Sequence, residues 1–208
     1  MTEELQRTEQ WKAERAGCFT GSVIIDITAR HKTTGAKLAS FDNRVWEVVQ
    51  ERLSGAPKEG PQGFALAWGT EAEPFALEQY ELLTGNIVTP AGFIRHPKHP
   101  FVGASPDGLL GKDGCLEAKC PKDPTVHLRR FMDGVPKEYL PQIQTEIWVC
   151  ERDWCDFVSY DPRQTEKFRL LKIRVNRDEA FIQHLESSVL EAEAAAQDLQ
   201  ARLERIAA

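Results

Sequence analysis

The stretch that decides the fold is SPDGLLGKDGCLEAKCP, which runs from Ser105 to Pro121. Its middle, residues 111–114, reads Gly-Lys-Asp-Gly, which is a strong turn signal. A three-residue hairpin loop at residues 112–114, with Gly114 in the left-handed conformation, would join two antiparallel strands. The predicted register then pairs Gly111 with Cys115, Leu109 with Glu117, and Asp107 with Lys119.

Two acids and a lysine share one face of this predicted hairpin. Directly opposed residues, and residues two apart on one strand, lie on the same side of a sheet. This rule places Asp107, Glu117 and Lys119 together. The alternate residues at 116, 118 and 120 are Leu, Ala and Cys, and they point the other way, toward a core.

The shared face has the equipment for metal-assisted phosphodiester hydrolysis. Two acids that would otherwise repel each other need a cation, and hard divalent ions prefer oxygen ligands. A lysine beside them can orient or deprotonate a water molecule. The same residues also suit an ordinary solvated hairpin, because Asp-Gly turns and Glu-X-Lys pairs are common, and the stretch alone leaves both readings open.

The composition is typical of a soluble globular chain. Its 208 residues are enough for one substantial domain, and 41% are hydrophobic and 28% charged. No apolar run reaches membrane-spanning length and residues 1–10 are polar, so we expect neither a transmembrane helix nor a signal peptide. Five cysteines without a CxxC pair argue against a structural zinc site or a disulfide framework and favour a reducing cytoplasm.

The charge balance argues against one class of nucleic-acid-binding protein. A net charge of −6 argues against a protein that coats nucleic acid non-specifically, since such proteins carry a basic surplus. Local basic clusters occur at residues 95–99 and between Lys122 and Arg130. They could line a local channel or simply be solvated surface charges.

Helical spacing of apolar residues and capping signals predict the helices. Ser40 and Thr70 are predicted N-caps, Glu73 completes a capping box with Thr70, and Ser22 caps a helix that starts at Val23. The predicted helices span residues 4–17, 23 onward, 40–53, 70–84, 125–133, 136–151 and 178–206. Outside the hairpin the predicted strands span residues 93–95, 101–104, 156–160 and 172–175, and residues 54–63 form a Gly- and Pro-rich loop.

This order of elements predicts a single α/β domain over residues 1–208, with a small mixed central sheet flanked by helices. The long terminal helix has an apolar seam with alternating steps of four and three. That seam could pack on a partner subunit or on its own domain. Its members are Leu185, Val189, Ala192, Ala196, Leu199, Leu203 and Ile206.

Further motifs lie before and after the hairpin in the chain. They are Trp11-Lys12-Ala13-Glu14-Arg15 with Thr20-Gly21-Ser22, Leu66-Ala67-Trp68-Gly69 with Glu73, Gln142-Ile143-Gln144 with Trp148-Val149, and Tyr160-Asp161-Pro162-Arg163. With the hairpin, the motifs from about residue 11 to 163 resemble the lambda-type exonucleases, the YqaJ-like viral recombinase group within the PD-(D/E)XK nuclease superfamily.

The resemblance implies a restriction-endonuclease-like core and a processive, Mg²⁺-dependent exonuclease. Such an enzyme digests the 5′-ended strand of linear duplex DNA and leaves 3′ overhangs for phage-type recombination. The resemblance also implies a ring-shaped homotrimer, a single-strand annealing partner, and a phage- or prophage-derived protein in the cytoplasm of a bacterial host.

The resemblance also assigns the catalytic roles. Asp107 and Glu117 resemble the metal-binding carboxylates, and the Ala118 backbone carbonyl would be a further ligand. Two Mg²⁺ ions would share them, with Mn²⁺ as an alternative. Lys119 resembles the residue that positions or activates the attacking water.

Two helical residues complete the catalytic set implied by the resemblance. Glu73 resembles a further acid, acting directly or through water, and its alternative role is the capping box. Gln142 resembles a residue that orients the attacking water, whereas a lone glutamine on a helix is more often a surface residue.

A second group resembles the family's pocket for the 5′-terminal phosphate. It comprises Arg15, Ser22 and Ser105, and a guanidinium fork with two hydroxyls suits phosphate. Their alternative roles are a surface charge for Arg15 and a helix cap for Ser22. Leu66 resembles an apolar residue that helps to split the end base pairs, and a buried core leucine is the alternative.

Two other functions remain compatible with this sequence. One is an endonuclease on the same core. The other is a non-catalytic protein that binds DNA ends or acts as a recombination scaffold. The presence of Asp107, Glu117 and Lys119 together argues against the second, since a dead relative usually loses one of them.

Overall fold

A computed structural model describes residues 5–58 and 63–208. Its eight strands are short, and most of them lie in the middle of the chain. They are Phe19–Thr20 (β1), Val88–Thr89 (β2), Ile94–Arg95 (β3), Val102–Ala104 (β4), Gly108–Leu110 (β5), Gly114–Lys119 (β6), Trp154–Tyr160 (β7) and Leu170–Asn176 (β8).

The strands form two sheets. The larger has the order β2-β5-β6-β7-β8, in which β6 and β7 are parallel and the other neighbours are antiparallel. In the smaller sheet β4 lies between β1, which is parallel to it, and β3, which is antiparallel. The prediction of a small mixed sheet is therefore confirmed.

Eight α-helices surround these sheets in the described part of the chain. They are Glu9–Arg15 (α1), Ile25–Thr28 (α2), Ala39–Ser54 (α3), Phe64–Thr84 (α4), Pro124–Asp133 (α5), Leu140–Val149 (α6), Glu166–Arg169 (α7) and Glu179–Ala207 (α8). None of the described helices is long and apolar enough to cross a membrane.

Apolar residues cover both faces of the large sheet. On one face Phe157 of β7 joins a core with Ile143 and Ile147 of α6 and Leu185 of α8. On the other face Leu116 and Ala118 of β6 and Val158 of β7 pack with Ala76 and Tyr80 of α4. Alternate strand residues thus enter different cores, which places α6 and α4 on opposite sides of β6.

The hairpin forms with a register two residues away from the predicted one. Gly108 pairs with Leu116 and Leu110 with Gly114, and the loop is residues 111–113. Gly111, with φ +57°, is the left-handed residue, whereas Gly114 was predicted for that role. A Cβ on Gly114 would lie 2.3 Å from the Trp154 ring, so this glycine allows close packing. Because the side-chain period is two, the shift keeps every predicted face.

Three predicted helix caps are wrong. Helix α4 begins at Phe64, so Thr70 lies inside it and the capping box with Glu73 does not form. Ser40 donates its hydroxyl to the Asp26 carbonyl oxygen instead of capping α3. Ser22 lies within a short 3-10 helix and contacts Arg15. In each case the local capping pattern is overridden by a longer helix or a more distant partner.

Other boundaries differ in smaller ways. The segment predicted as helix 136–151 is a 3-10 turn, Lys137–Tyr139, followed by α6. The predicted helix 4–17 is shorter because Thr8 caps α1 by accepting the Trp11 N–H. Residue 4 of that prediction, and residues 59–62 of the predicted 54–63 loop, lie outside the described residues.

The terminal helix packs on its own chain. Leu185, Val189, Ala192 and Ala196 are buried in the core, and Leu199 and Leu203 pack against it. Ile206 is 82% exposed. The sequence left open whether this seam packs on a partner subunit or on its own domain. In the structure it packs on its own domain as far as Leu203.

The hairpin loop generates a stability prediction. Gly111→Ala adds a side chain in the left-handed region where nothing lies within 4 Å of the new Cβ, so the cost is backbone strain alone. We expect it to lower the free energy of unfolding by about 1–2 kcal/mol. Urea denaturation measures this, with Lys112→Ala in the same loop as the control. Equal midpoints for the two variants would contradict the observed loop.

Candidate active site

Asp107 lies at the point where the hairpin opens. Strand β5 begins at Gly108 while β6 continues to Lys119, so the end of β6 has no partner on that side. The Asp107 Oδ2 fills part of this edge by accepting the Ala118 N–H at 2.7 Å. The N–H and C=O of one strand residue point to the same neighbouring strand. The Ala118 carbonyl therefore faces the Asp107 side.

Glu117 is the most buried acid of the group, with 2% exposure. Its Oε1 accepts hydrogen bonds from Lys119 Nζ and, at 2.6 Å, from Gln142 Nε2. Its Oε2 is buried and accepts no hydrogen bond from any described residue. A buried carboxylate oxygen without a partner is costly. The unpaired oxygen beside Asp107 therefore fits a cation ligand.

The charges of the group act on each other strongly. Burial raises the pKa of Asp107 well above its ordinary value, and the negative charges of Glu117 and Glu73 raise it further. Burial alone would lower the pKa of Lys119, but the charges of Glu117 and Asp107 outweigh it and raise that pKa. Lys119 is therefore an ammonium ion, which can donate and stabilise negative charge.

Glu73 lies beside this group without joining it closely. Its charge contributes to the raised pKa of Asp107, yet its Oε2 pairs with Arg7 Nη2 at 2.5 Å. The acids Asp107, Glu117 and Glu73 do not form a group in which three potential ligand atoms lie within 4.8 Å of one another, and among the described residues the one such group is Cys115, Glu146 and Cys155. The role of Glu73 as a further acid, acting directly or through water, stays a prediction.

The cysteine-containing group belongs to the core behind the active site. Cys115 of β6 and Cys155 of β7 are direct neighbours in the parallel pair and are fully buried. Burial raises the pKa of the Cys155 thiol, and burial also raises the pKa of Glu146. Protonated thiols are poor metal ligands, and Mg²⁺ prefers oxygen. The group of Cys115, Glu146 and Cys155 therefore does not suit Mg²⁺.

Arg15, Ser22 and Ser105 converge in the structure. Arg15 donates from Nη1 to Ser105 Oγ at 3.3 Å and from Nη2 to Ser22 Oγ at 3.3 Å and Thr20 Oγ1 at 3.4 Å. Trp11 Nε1 donates to Ser105 Oγ at 2.9 Å, and its ring lies 4.1 Å from the Arg15 guanidinium carbon. We call these five residues the Arg15 pocket.

The Arg15 pocket is built for an anion. Burial lowers the pKa of Arg15, which remains a cation because its ordinary pKa is so high. No carboxylate of the described residues lies within salt-bridge distance of Arg15. Its hydrogen bonds go to hydroxyls, which can turn to donate to a bound phosphate.

The two sites share one short segment. Ser105 of the pocket and Asp107 of the acidic group are separated by Pro106 alone, and two residues span at most about 7 Å. Gln6 Nε2 holds this segment by donating to the Pro106 carbonyl at 2.9 Å. An anion held by Arg15 would therefore lie close to the acids.

Leu66 lies in the first turn of α4 and is 57% exposed. The alternative of a buried core leucine is therefore wrong. An exposed apolar side chain is available to contact a partner, such as a terminal base pair.

Sequence reasoning gave no role to Arg7, Thr20, Trp11 or Glu146. The i,i+4 spacing predicts that Gln142 and Glu146 share one face of a helix, and the structure confirms it. Trp11 and Arg15 have the same spacing, which could have found that pair as well. Arg7 had no such signal, because its contact with Glu73 crosses 66 positions of the chain.

The fold is that of solved exonucleases. The alkaline exonuclease LHK-Exo from Laribacter hongkongensis is 39% identical, covers 96% of this chain and 98% of its own, and has a TM-score of 0.87. LHK-Exo in complex with dAMP is similar, at 38% identity over the same shares and a TM-score of 0.88. A phage-related exonuclease from Haemophilus somnus 129PT, 16% identical, shares the fold at a TM-score of 0.73 over 89% of this chain and 96% of its own. The predicted nuclease fold class is confirmed.

The family follows from the sequence match. Residues 10–153 match the YqaJ-like viral recombinase domain, and the chain belongs to this family. Its membership, together with the likeness to an alkaline exonuclease, supports a nuclease role. An uncharacterized protein of Acanthamoeba polyphaga mimivirus is 30% identical over 104 residues, which are 44% of this chain. The chain spans about a fifth, 19%, of that relative's length.

The raised pKa of Asp107 predicts how stability depends on pH. The folded chain binds the Asp107 proton more tightly than the unfolded chain does, so stability falls as the pH rises above about 4 and toward the raised pKa. Asp107→Asn removes this loss and should unfold at a higher urea concentration than the parent protein at pH 8 in EDTA. The gain is about 1.4 kcal/mol for each unit by which the pKa is raised.

The control for this prediction is Asp113→Asn, which changes an exposed aspartate in the same hairpin. The stability gain of Asp107→Asn should shrink as the pH falls, and Asp113→Asn should give no gain at pH 8, because its side chain is exposed. An Asp107→Asn protein that is less stable than the parent at pH 8 would contradict the assignment.

Proposed function

We propose that this protein is a Mg²⁺-dependent, processive 5′→3′ exonuclease that digests one strand of linear duplex DNA and leaves 3′ overhangs. Residues 1–208 would act as one exonuclease domain. The observation that carries the proposal is the Arg15 pocket, whose Ser105 is separated from Asp107 by Pro106 alone. An anchor for a terminal phosphate beside an acidic group gives hydrolysis a fixed end from which to start.

The Arg15 pocket would hold the 5′-terminal phosphate. Arg15 offers the donor nitrogens of its guanidinium group, and Ser22 and Ser105 offer hydroxyls that already contact Arg15. Charge-assisted hydrogen bonds of this kind are the strong ones. A terminal phosphate presents more negative charge and more free oxygens than an internal phosphodiester, so the pocket selects an end. The exposed Leu66 would help to separate the first base pairs.

The acidic group fits a divalent cation. The unpaired Glu117 Oε2, the Asp107 carboxylate and the Ala118 carbonyl provide the oxygen ligands that Mg²⁺ prefers. Two Mg²⁺ ions held there, or Mn²⁺ in their place, would supply Lewis-acid activation of water and stabilisation of the leaving oxygen.

The chain's own residues would align and stabilise the reaction. Gln142 presents its amide to the attacking water, and the Lys119 ammonium stabilises the negative charge on the phosphoryl group. The water oxygen forms a bond to phosphorus, the bond from phosphorus to the 3′ oxygen breaks, and that oxygen takes up a proton. The products are a 5′-mononucleotide and a strand with a new 5′-phosphate.

The product chemistry supports processive digestion. Each cut regenerates the 5′-phosphate that the Arg15 pocket binds, so the shortened strand can re-enter the same site. LHK-Exo has been crystallised with dAMP, a deoxynucleoside monophosphate of the kind that this cleavage releases.

We also propose the assembly that the family resemblance implies, a homotrimer that works with a phage-type single-strand annealing protein. Exposed apolar side chains support an interface, since Leu82, Leu83 and Ile87 are clustered at the end of α4. Sedimentation equilibrium at micromolar concentration tests the trimer, and a monomer mass would exclude it.

The decisive experiment uses linear duplex DNA labelled separately at each 5′ and 3′ end, with and without Mg²⁺. Release of the 5′ label first, and only with Mg²⁺, is the expected result. Cleavage of closed circular DNA would identify an endonuclease instead. Binding of ends without release of nucleotides would identify a non-catalytic protein.

The same assay tests the role of Lys119. We expect Lys119→Ala to lower hydrolysis by a factor on the order of 100 or more, because the charge on the phosphoryl group loses its stabilising cation. Binding of duplex ends, measured by fluorescence anisotropy in Ca²⁺, should stay within about twofold, since most binding comes from phosphate contacts elsewhere. Lys112→Ala, in the exposed hairpin loop, is the matched control. Normal digestion by Lys119→Ala would remove this mechanism.

The Arg15 pocket makes a separate prediction about DNA ends. The parent protein should start on a 5′-phosphate end about ten times faster than on a 5′-hydroxyl end, because charged hydrogen bonds are lost with the phosphate. Arg15→Ala should start on both ends at the same slow rate. Arg15→Lys keeps the charge without the fork and should retain part of the preference. Equal rates for the parent protein on both ends would rule out the pocket.

A further inference from the structure

A buried acid that the proposed mechanism does not use lies directly behind Gln142. Glu146 follows Gln142 by one turn of α6 and is 1% exposed. Its Oε1 accepts a hydrogen bond from Gln142 Nε2 at 2.9 Å, and its Oε2 has no partner among the described residues. Its neighbours on the helix include Ile143 and Ile147, in a core where an acid is costly.

The Gln142 amide is held between two carboxylates. Its Nε2 donates to Glu117 Oε1 at 2.6 Å and to Glu146 Oε1 at 2.9 Å. An amide nitrogen has two protons, and these two hydrogen bonds use one each. Both protons are therefore used on these acids, and the carbonyl oxygen of Gln142 is turned away from them. No described residue donates to that carbonyl oxygen.

Glu117 alone would hold the amide less firmly. The Glu117 Oε1 also accepts a hydrogen bond from Lys119 Nζ, so Gln142 shares this acceptor with a second donor. Glu146 Oε1 has no other donor among the described residues. Behind Glu146 lie the sulfur atoms of Cys115 and Cys155, which are weak donors and leave Gln142 as its main partner.

We propose that Glu146 is a positioning residue that fixes the orientation of the Gln142 amide, with its carbonyl oxygen presented to the attacking water. A carbonyl oxygen can accept a proton of that water in a hydrogen bond, whereas the amide NH₂ group could not. This role rests on the proposed nuclease function. Without Glu146 the amide can rotate, and the water loses its acceptor in a fraction of encounters.

The test is a double-mutant cycle on Glu146 and Gln142, measured with the end-labelled duplex. Glu146→Leu should lower kcat about tenfold and leave KM for DNA within about twofold, because misplacement near the reacting atoms affects the chemical step. Glu146→Leu in a Gln142→Leu background should cost nothing further, since the two residues act as a unit. Glu146→Gln keeps a carbonyl oxygen that can accept from Gln142 and should recover most of kcat.

Gln144→Leu is the matched control on the same helix. Gln144 is buried and makes two structural hydrogen bonds, donating to the Asn176 carbonyl and accepting the Asp178 N–H. Its loss should lower the unfolding midpoint and leave kcat unchanged. A Glu146→Leu protein that behaves like Gln144→Leu, or that loses kcat equally with and without Gln142, would overturn the proposal.

A spectroscopic measurement keeps the proposal separate from the proposed function. The side-chain amide signals of Gln142, assigned by their absence in Gln142→Leu, should show slow proton exchange in the parent protein and in Glu146→Gln. They should exchange faster in Glu146→Leu, and unchanged exchange would overturn the proposal. A parent protein with these signals but no nucleotide release would show that the proposed function fails while the positioning contact stands. If Glu146→Leu does not fold, Glu146→Met replaces it in both measurements, since methionine also removes the carboxylate oxygen that accepts from Gln142.

Discussion

The buried carboxylate of Glu117 is the group on which the arrangement of the site depends. Taking a carboxylate out of water costs several kcal/mol unless partners compensate for it. Lys119 on the same strand and Gln142 on α6 supply two of these partners. The Glu117 charge therefore ties the hairpin to α6, and it also raises the pKa of Asp107. The other oxygen of Glu117, Oε2, has no hydrogen-bond partner among the described residues, so it is available to bind a metal ion.

The contacts of Arg15 differ from those of arginines that pair with acids. Arg52 and Arg174 form short ion pairs with Glu193 and Asp156, which fixes them in the structure. Arg15 instead contacts hydroxyls and aromatic rings. A charge surrounded by neutral groups keeps its capacity to attract an anion. Since Ser105 belongs both to this pocket and to the segment that carries Asp107, the pocket lies next to the acids.

Much of this could be predicted from the sequence, because the decisive patterns are local. The predicted register of the hairpin was wrong by two residues, but the predicted faces were correct. A shift of two residues preserves the alternation that places Asp107, Glu117 and Lys119 together. Thr70 failed as a cap because capping patterns describe a possible helix start, and α4 begins six residues earlier. The Arg7–Glu73 pair could not be predicted, because a contact between residues 66 positions apart leaves no periodic pattern in the sequence.

The acidic net charge and the proposed binding of DNA ends are compatible for a structural reason. Many cationic side chains are engaged with acids of the same chain, as Arg44 is with Asp26 and Glu47. With a net charge of −6 the chain has no overall surplus of cations to release counterions along a duplex, so affinity for internal DNA should be low. A pocket that concentrates several donors on one terminal phosphate does not need a basic surface. The direction of digestion and a weak sequence preference would then have the same origin. Both would follow from a pocket that binds the phosphate at one end of the strand and contacts no base.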